Sequence, residues 1–117
     1  MEAKGALAAL GALAHETRLE LFRHLVVVGP AGAAAGALAE RFDLPPATLS
    51  FHLKALSDAG LAVGTRAGRQ IRYAADYRAM DALIGYLNDN CCAGEAAGCA
   101  PVPLPSPARR RSSTKES

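Results

Sequence analysis

The chain has 117 residues and a formal net charge of +2, so charge alone does not indicate a nucleic-acid partner. Hydrophobic residues make up 50% of it and aromatic residues only 5%, without any Trp, which favours a core of packed helices over a β-sandwich. No apolar run approaches the roughly 20 residues that span a membrane. The Ala/Leu-rich start also lacks a convincing leader-peptide cleavage site. We therefore expect one folded domain in the cytoplasm and no membrane partner.

Apolar side chains recur at helical spacing in five segments of the sequence. This periodicity predicts helices over residues 3–14, 16–28, 33–42, 46–59 and 77–89. Gly29-Pro30 ends the second helix. Pro46 suits the first position of the fourth because its missing N–H has no partner there, and Gly60 suits the residue after its end.

Two short strands are predicted between the fourth and fifth helices, over residues 61–66 and 70–75, with Ala67-Gly68 as the turn. The order α-α-α-α-β-β-α defines a mainly α fold with a small β-hairpin, which is a winged helix-turn-helix. We expect residues 1–90 to form the DNA-binding and dimerisation domain and residues 91–99 an inducer site. The Pro-rich and basic residues 100–117 lack periodicity and are expected to be a disordered tail.

Helix 46–59 has the pattern of a recognition helix, because Leu49, Leu53 and Leu56 form one buried stripe while polar side chains point elsewhere. The candidate contacts to bases or phosphates of double-stranded operator DNA on this helix are Thr48, Ser50, His52 and Lys54. Arg66 and Arg69 flank the hairpin tip, where a wing touches the DNA backbone or minor groove. An ordinary surface helix beside a solvated basic hairpin is the alternative interpretation.

Four runs of the sequence together resemble one known family. Residues 13–22 resemble the start of its second helix, residues 49–56 and 59–62 its recognition-helix signature, and residues 69–73 the returning wing strand. The chain is thereby similar to the ArsR/SmtB metalloregulators over roughly residues 5 to 90. This resemblance implies a homodimer joined through the first and last helices, which represses a metal-resistance operon until an inducer binds. The leucines expected at that interface are Leu7, Leu10, Leu83 and Leu87.

The resemblance also bears on the inducer site, since members place their sensor residues in different elements. The stretch 33–44 contains no Cys and the stretch 77–90 no His, so two of the family's sites are missing. Cys91, Cys92 and Cys99 follow the last helix instead. This arrangement resembles the arsenic-responsive members that carry an adjacent Cys pair and a later third Cys.

The chemistry of three thiols supports the same assignment. Thiolates select soft ions, and three of them neutralise a trivalent arsenic or antimony centre, whereas zinc prefers four ligands. Gly94 and Gly98 give the segment freedom to bring Cys99 to the pair within one subunit. We therefore expect arsenite or antimonite as inducer.

Three other interpretations of the thiols stay open. They are a redox switch through a disulfide from Cys91 or Cys92 to Cys99, a site for zinc, cadmium, lead or bismuth, and incidental cysteines. An enzyme is not expected, because the sequence has no signature for a base near a nucleophilic thiol and no substrate-pocket motif, and no catalytic cofactor is expected.

Overall fold

A computed structural model describes residues 1–90, and within them five helices and a three-stranded antiparallel sheet. The elements are α1 Ala3–Leu13, α2 Glu16–Val28, β1 Ala33–Ala34, α3 Ala35–Phe42, α4 Pro46–Asp58, β2 Ala62–Ala67, β3 Gln70–Ala75 and α5 Tyr77–Asn88. Residues Met1–Leu87 form one compact unit. The predicted fold class, a winged helix-turn-helix, is confirmed. None of the helices within residues 1–90 is long and apolar enough to cross a membrane.

The sheet has one strand that the sequence pattern did not predict. β1 pairs with β3 through Ala33↔Tyr73 and Ala34↔Arg72, so the strand order is β1-β3-β2. The predicted helix over 33–42 therefore begins two residues later. Alanine favours helix, but here strand pairing overrides that preference. The β2–β3 turn is also one residue later than predicted, because Ala67 still pairs with Gln70.

The core centres on α4, which packs against α1, α2, α3 and β2. The fully buried large side chains of the core come from several elements and are Leu21, Leu25, Leu38, Leu49, Leu53, Leu56 and Leu61. Burying a leucine side chain contributes about 1.5–3 kcal/mol, so this cluster is the main stabilising feature of the unit. α1 contributes its small residues, since Ala6, Ala9 and Ala12 are buried while Leu7 and Leu10 remain exposed.

α5 is fixed at its start by two side chains. Asp76 Oδ1 accepts a hydrogen bond from the backbone N–H of Ala79 at 3.1 Å, which satisfies one free donor of the first turn. The hydroxyl of Tyr77 donates to the carbonyl oxygen of Val26 in α2 at 2.9 Å. The beginning of α5 is thus tied to the helix that supports the recognition helix.

Candidate nucleic-acid interface

A tight turn sets the angle between α3 and α4. Asp43 ends α3 in the left-handed conformation, with φ of 53°, which Asp tolerates better than most residues. The N–H of Leu44 donates to the carbonyl of Ala39 at 3.0 Å and closes the helix end. Pro46 is the first residue of α4, as its missing donor predicted. These contacts hold α4 as the second helix of a helix-turn-helix.

The exposed face of α4 carries three of the predicted DNA contacts. Thr48, Ser50 and Lys54 are all exposed, while Leu49, Leu53 and Leu56 are buried on the opposite side. Short hydroxyl side chains on an open helix face are suited to hydrogen-bond base edges in a major groove.

His52 does not belong to that face, and its prediction as a DNA contact is wrong. Its side chain is only 7% exposed, and its ring centroid lies 4.8 Å from that of His15 at the N-terminus of α2. The physical reason is spacing: residue 52 stands three after Leu49 and four before Leu56, so it shares their buried stripe. Burial lowers the pKa of His52, with smaller contributions from the charges of His15 and Arg18.

Lys54 is exposed, but its side chain forms an ion pair within α4. Its Nζ donates to Oδ2 of Asp58, one turn further along α4, at 2.8 Å. This hydrogen bond, followed by the attraction of the carboxylate charge, raises the pKa of Lys54. A contact from Lys54 to a phosphate therefore competes with Asp58.

The wing presents two arginines at its end. Arg66 lies in β2, and Arg69 lies in the turn beside Gly68, whose φ is +64°. Both side chains are exposed, and neither makes an ion pair with a residue between 1 and 90. Ser50 and Arg69 line the same open cleft of about 310 Å³, so α4 and the wing border one surface.

Arg72, in strand β3, has a structural role. Its Nε donates to the carbonyl of Ala31 at 3.2 Å and its Nη2 to that of Gly32 at 2.9 Å. The guanidinium thus fastens the loop before β1 to strand β3.

One exposed residue of α4 escaped the sequence reasoning. Phe51 is 63% exposed, and the guanidinium carbon of Arg18 lies 6.0 Å from its ring centroid. The sequence pattern indicates this exposure, because helical spacing places Phe51 outside the buried stripe of Leu49, Leu53 and Leu56. It was missed because only polar side chains were considered as base contacts.

The predicted dimer leucines divide into two groups. Leu7 is 68% exposed and Leu87 60%, and Leu10 is also exposed, so α1 and α5 carry apolar side chains open to solvent. Leu83 is 7% exposed and packs in the core of its own protomer, so its assignment to the interface is wrong. Its neighbour Ile84 is exposed instead.

The predicted thiol site lies outside the described residues, since Cys91, Cys92 and Cys99 all follow residue 90. Within residues 1–90, no group of three or more His, Cys, Asp or Glu side chains is arranged to hold a metal ion.

Comparison with known proteins agrees with the geometry. The family described as "Helix-turn-helix domain" matches residues 13–65. An ArsR-like transcriptional regulator from Rhodococcus sp. RHA1 is 27% identical, with 82% of this chain and 88% of that chain covered and a TM-score of 0.68. No curated protein matches the chain.

Two further solved structures are similar to the chain. The homodimeric winged helix-turn-helix DNA-binding domain (fragment 1–100) of a possible ArsR-family regulator from Mycobacterium bovis is 25% identical, with 75% of this chain and 82% of that chain covered and a TM-score of 0.61. The AntR antimony-specific transcriptional repressor is 28% identical, with 85% of each chain covered and a TM-score of 0.58.

The exposed recognition helix, the basic wing and these similarities define a winged helix-turn-helix DNA-binding protein. The chain is similar in sequence and fold to transcriptional regulators of the ArsR family.

Proposed function

We propose that the chain is a homodimeric repressor that leaves its operator when trivalent arsenic or antimony binds Cys91, Cys92 and Cys99. The observation that carries this proposal is the pairing of a winged helix-turn-helix with a soft, three-thiol donor set in one short chain. The similarity to AntR, an antimony-specific repressor, supports the same class of inducer.

Operator binding in this proposal uses the face of α4 and the wing. Thr48 and Ser50 contact base edges, while Lys54, Arg66 and Arg69 contact phosphates. Two copies joined through α1 and α5 hold their recognition helices about 34 Å apart, which matches successive major grooves. The exposed Leu7, Leu10 and Leu87 supply apolar surface for that pairing, and the homodimeric neighbour from Mycobacterium bovis supports it.

Inducer binding rests on the chemistry of the donor set. Three thiolates offer three negative charges and three sulfur ligands, which satisfy a pyramidal trivalent centre without a fourth ligand. Thiols must lose their protons to bind, so affinity falls in acid. Because the cysteines follow α5 closely in sequence, occupation of the site acts on the helix whose exposed residues serve the dimer.

A fluorescence anisotropy titration tests the proposal, with labelled promoter DNA, reduced protein and added arsenite or antimonite. The wild-type chain is expected to bind the DNA and to be released by either metalloid. Cys99→Ser is expected to bind DNA normally and to lose the response to arsenite, because two thiolates leave one position of the centre unfilled. It should keep a response to a monosubstituted organoarsenical, which has only two positions to fill.

Ala97→Ser is the matched control, since it introduces the same residue into the same segment and leaves all three thiols in place. An equal arsenite response in wild type and Cys99→Ser would contradict the three-thiol site. Release by peroxide alone would identify a redox switch. Release by zinc, cadmium, lead or bismuth alone would identify a different metal.

A further inference from the structure

Phe51 lies at the middle of the exposed face of α4. A role for this residue in DNA recognition rests on the proposed operator binding. At 100° per residue, position 51 lies opposite the stripe formed by Leu49, Leu53 and Leu56. The residue is 63% exposed on the helix that enters the major groove in the proposed operator complex. Isolated exposed apolar side chains are common on protein surfaces, so it is the position of this ring that matters.

Two neighbouring side chains contact the ring of Phe51. The guanidinium of Arg18, in α2, lies 6.0 Å from its centroid, at the range of a cation–π contact. The ring of His52 meets it at 5.6 Å and 65°, close to an edge-to-face arrangement. Phe51 therefore offers a supported aromatic surface to solvent with part of its rotational freedom already restricted.

The residues one turn before Phe51 extend this apolar surface. Ala47 and Thr48 stand four and three positions earlier, on the same side of the helix, and both are exposed. All three lie in the first half of α4, the part of a recognition helix that approaches base edges. The side chains of this strip carry two methyl groups, from Ala47 and Thr48, and the aromatic ring of Phe51, and none of these groups donates a strong hydrogen bond. The hydroxyl of Thr48 is the one side-chain group of the strip that does.

The major-groove edge of DNA carries one apolar group, the C5-methyl of thymine, and apolar side chains such as Ala, Thr and Phe are the ones that contact it. We infer that Phe51 is a specificity-determining residue that packs on the C5-methyl group of one thymine in each operator half-site, with Arg18 holding the ring in position. Thr48 and Ser50 read hydrogen-bonding edges, whereas Phe51 distinguishes thymine from the other bases by shape.

Replacement of thymine by uracil tests this inference, because it removes the methyl group and leaves every hydrogen-bonding group of the base pair unchanged. The DNA is the duplex that the purified full chain selects from a pool of random sequences, and each thymine is replaced singly by uracil. For wild-type protein, one thymine in each half-site should show a loss of affinity of about fourfold, which corresponds to one buried methylene-sized group. Phe51→Ala should bind thymine and uracil duplexes equally at that position.

Leu19→Ala is the matched control, since it removes another exposed large apolar side chain from outside α4 and should preserve the uracil effect. An unchanged melting temperature of Phe51→Ala shows that the variant is folded. Two results would overturn the inference while operator binding stands: no thymine position that responds to uracil, or an undiminished response in Phe51→Ala. If the chain selects no sequence from the pool, the proposed operator binding itself fails.

Discussion

Replacement of Gly32 by alanine should destabilise the protein more than an ordinary glycine substitution, because two separate costs coincide there. Gly32 is buried with φ of +74°, a conformation that costs an L-residue about 1–2 kcal/mol. A Cβ at this position would lie 2.5 Å from the carbonyl oxygen of Tyr73 and 3.0 Å from its carbonyl carbon. No rotamer change relieves a clash with backbone, and overpacking of this kind adds about 1–3 kcal/mol.

The expected loss in the free energy of unfolding is therefore about 2–5 kcal/mol. For a domain of 60–100 residues, each kcal/mol lowers the melting temperature by about 4–8 °C, so Gly32→Ala should melt at least about 8 °C below wild type. Circular dichroism at fixed protein concentration measures this, since dimerisation makes melting concentration-dependent.

Gly68→Ala separates the two costs. Gly68 has a similar φ of +64°, but an added Cβ meets nothing within 4 Å, so this variant should lose only the conformational share. Equal losses in the two variants would refute the reasoning, because the approach of Gly32 to Tyr73 would then carry no energy.

Three further predictions concern side chains in or beside the DNA-binding unit. Tyr77→Phe should lower the free energy of unfolding by about 0.5–1.5 kcal/mol in a urea titration, since it deletes one hydrogen bond to α2; no change would mean that water replaces the bond fully. Burial lowers the pKa of His52, and burial also lowers that of His24, so below pH 6.5 the unfolded chain takes up protons that the folded chain refuses. Stability should thus fall as pH drops from 7 to 5, and His52→Gln should flatten the curve relative to wild type; a curve of unchanged slope would contradict this. Asp58→Ala should strengthen DNA binding at low salt by freeing Lys54 and removing a negative charge near the phosphates, and unchanged affinity would show that Lys54 does not reach DNA.

The helices were predictable from sequence because apolar residues recur at helical spacing, although in α1 the alanines and not the leucines form the buried stripe. Strand β1 was not, since two alanines have no period and their pairing with β3 depends on residues about forty positions later. The role of Arg72 was hidden for the same reason, because its partners are carbonyls of a distant loop.

In α4 the sequence pattern predicted exposure correctly at some positions and wrongly at a neighbouring one. Hydrophobic spacing correctly separated Leu49, Leu53 and Leu56 from Thr48 and Ser50. Polarity misplaced His52, because a histidine on the buried stripe packs against His15 from another helix, a contact that one helix's pattern does not contain. Position on the helix is therefore a better guide to exposure than residue type.

The energy needed for induction indicates where the proposed switch must act. A hundredfold loss of operator affinity requires the inducer to separate two states by about 2.8 kcal/mol, at 1.4 kcal/mol per tenfold. The polar tie from Tyr77 to α2 is one hydrogen bond per protomer, worth about 0.5–1.5 kcal/mol net, so its loss in both copies reaches the required value only at the upper end of that range. Each fully buried leucine contributes about 1.5–3 kcal/mol, and in the proposed dimer two-fold symmetry would double every contact made by Leu7, Leu10 or Leu87. The proposed inducer therefore acts chiefly by repacking the two copies against each other, which leaves each protomer's helix-turn-helix intact and changes the spacing between them.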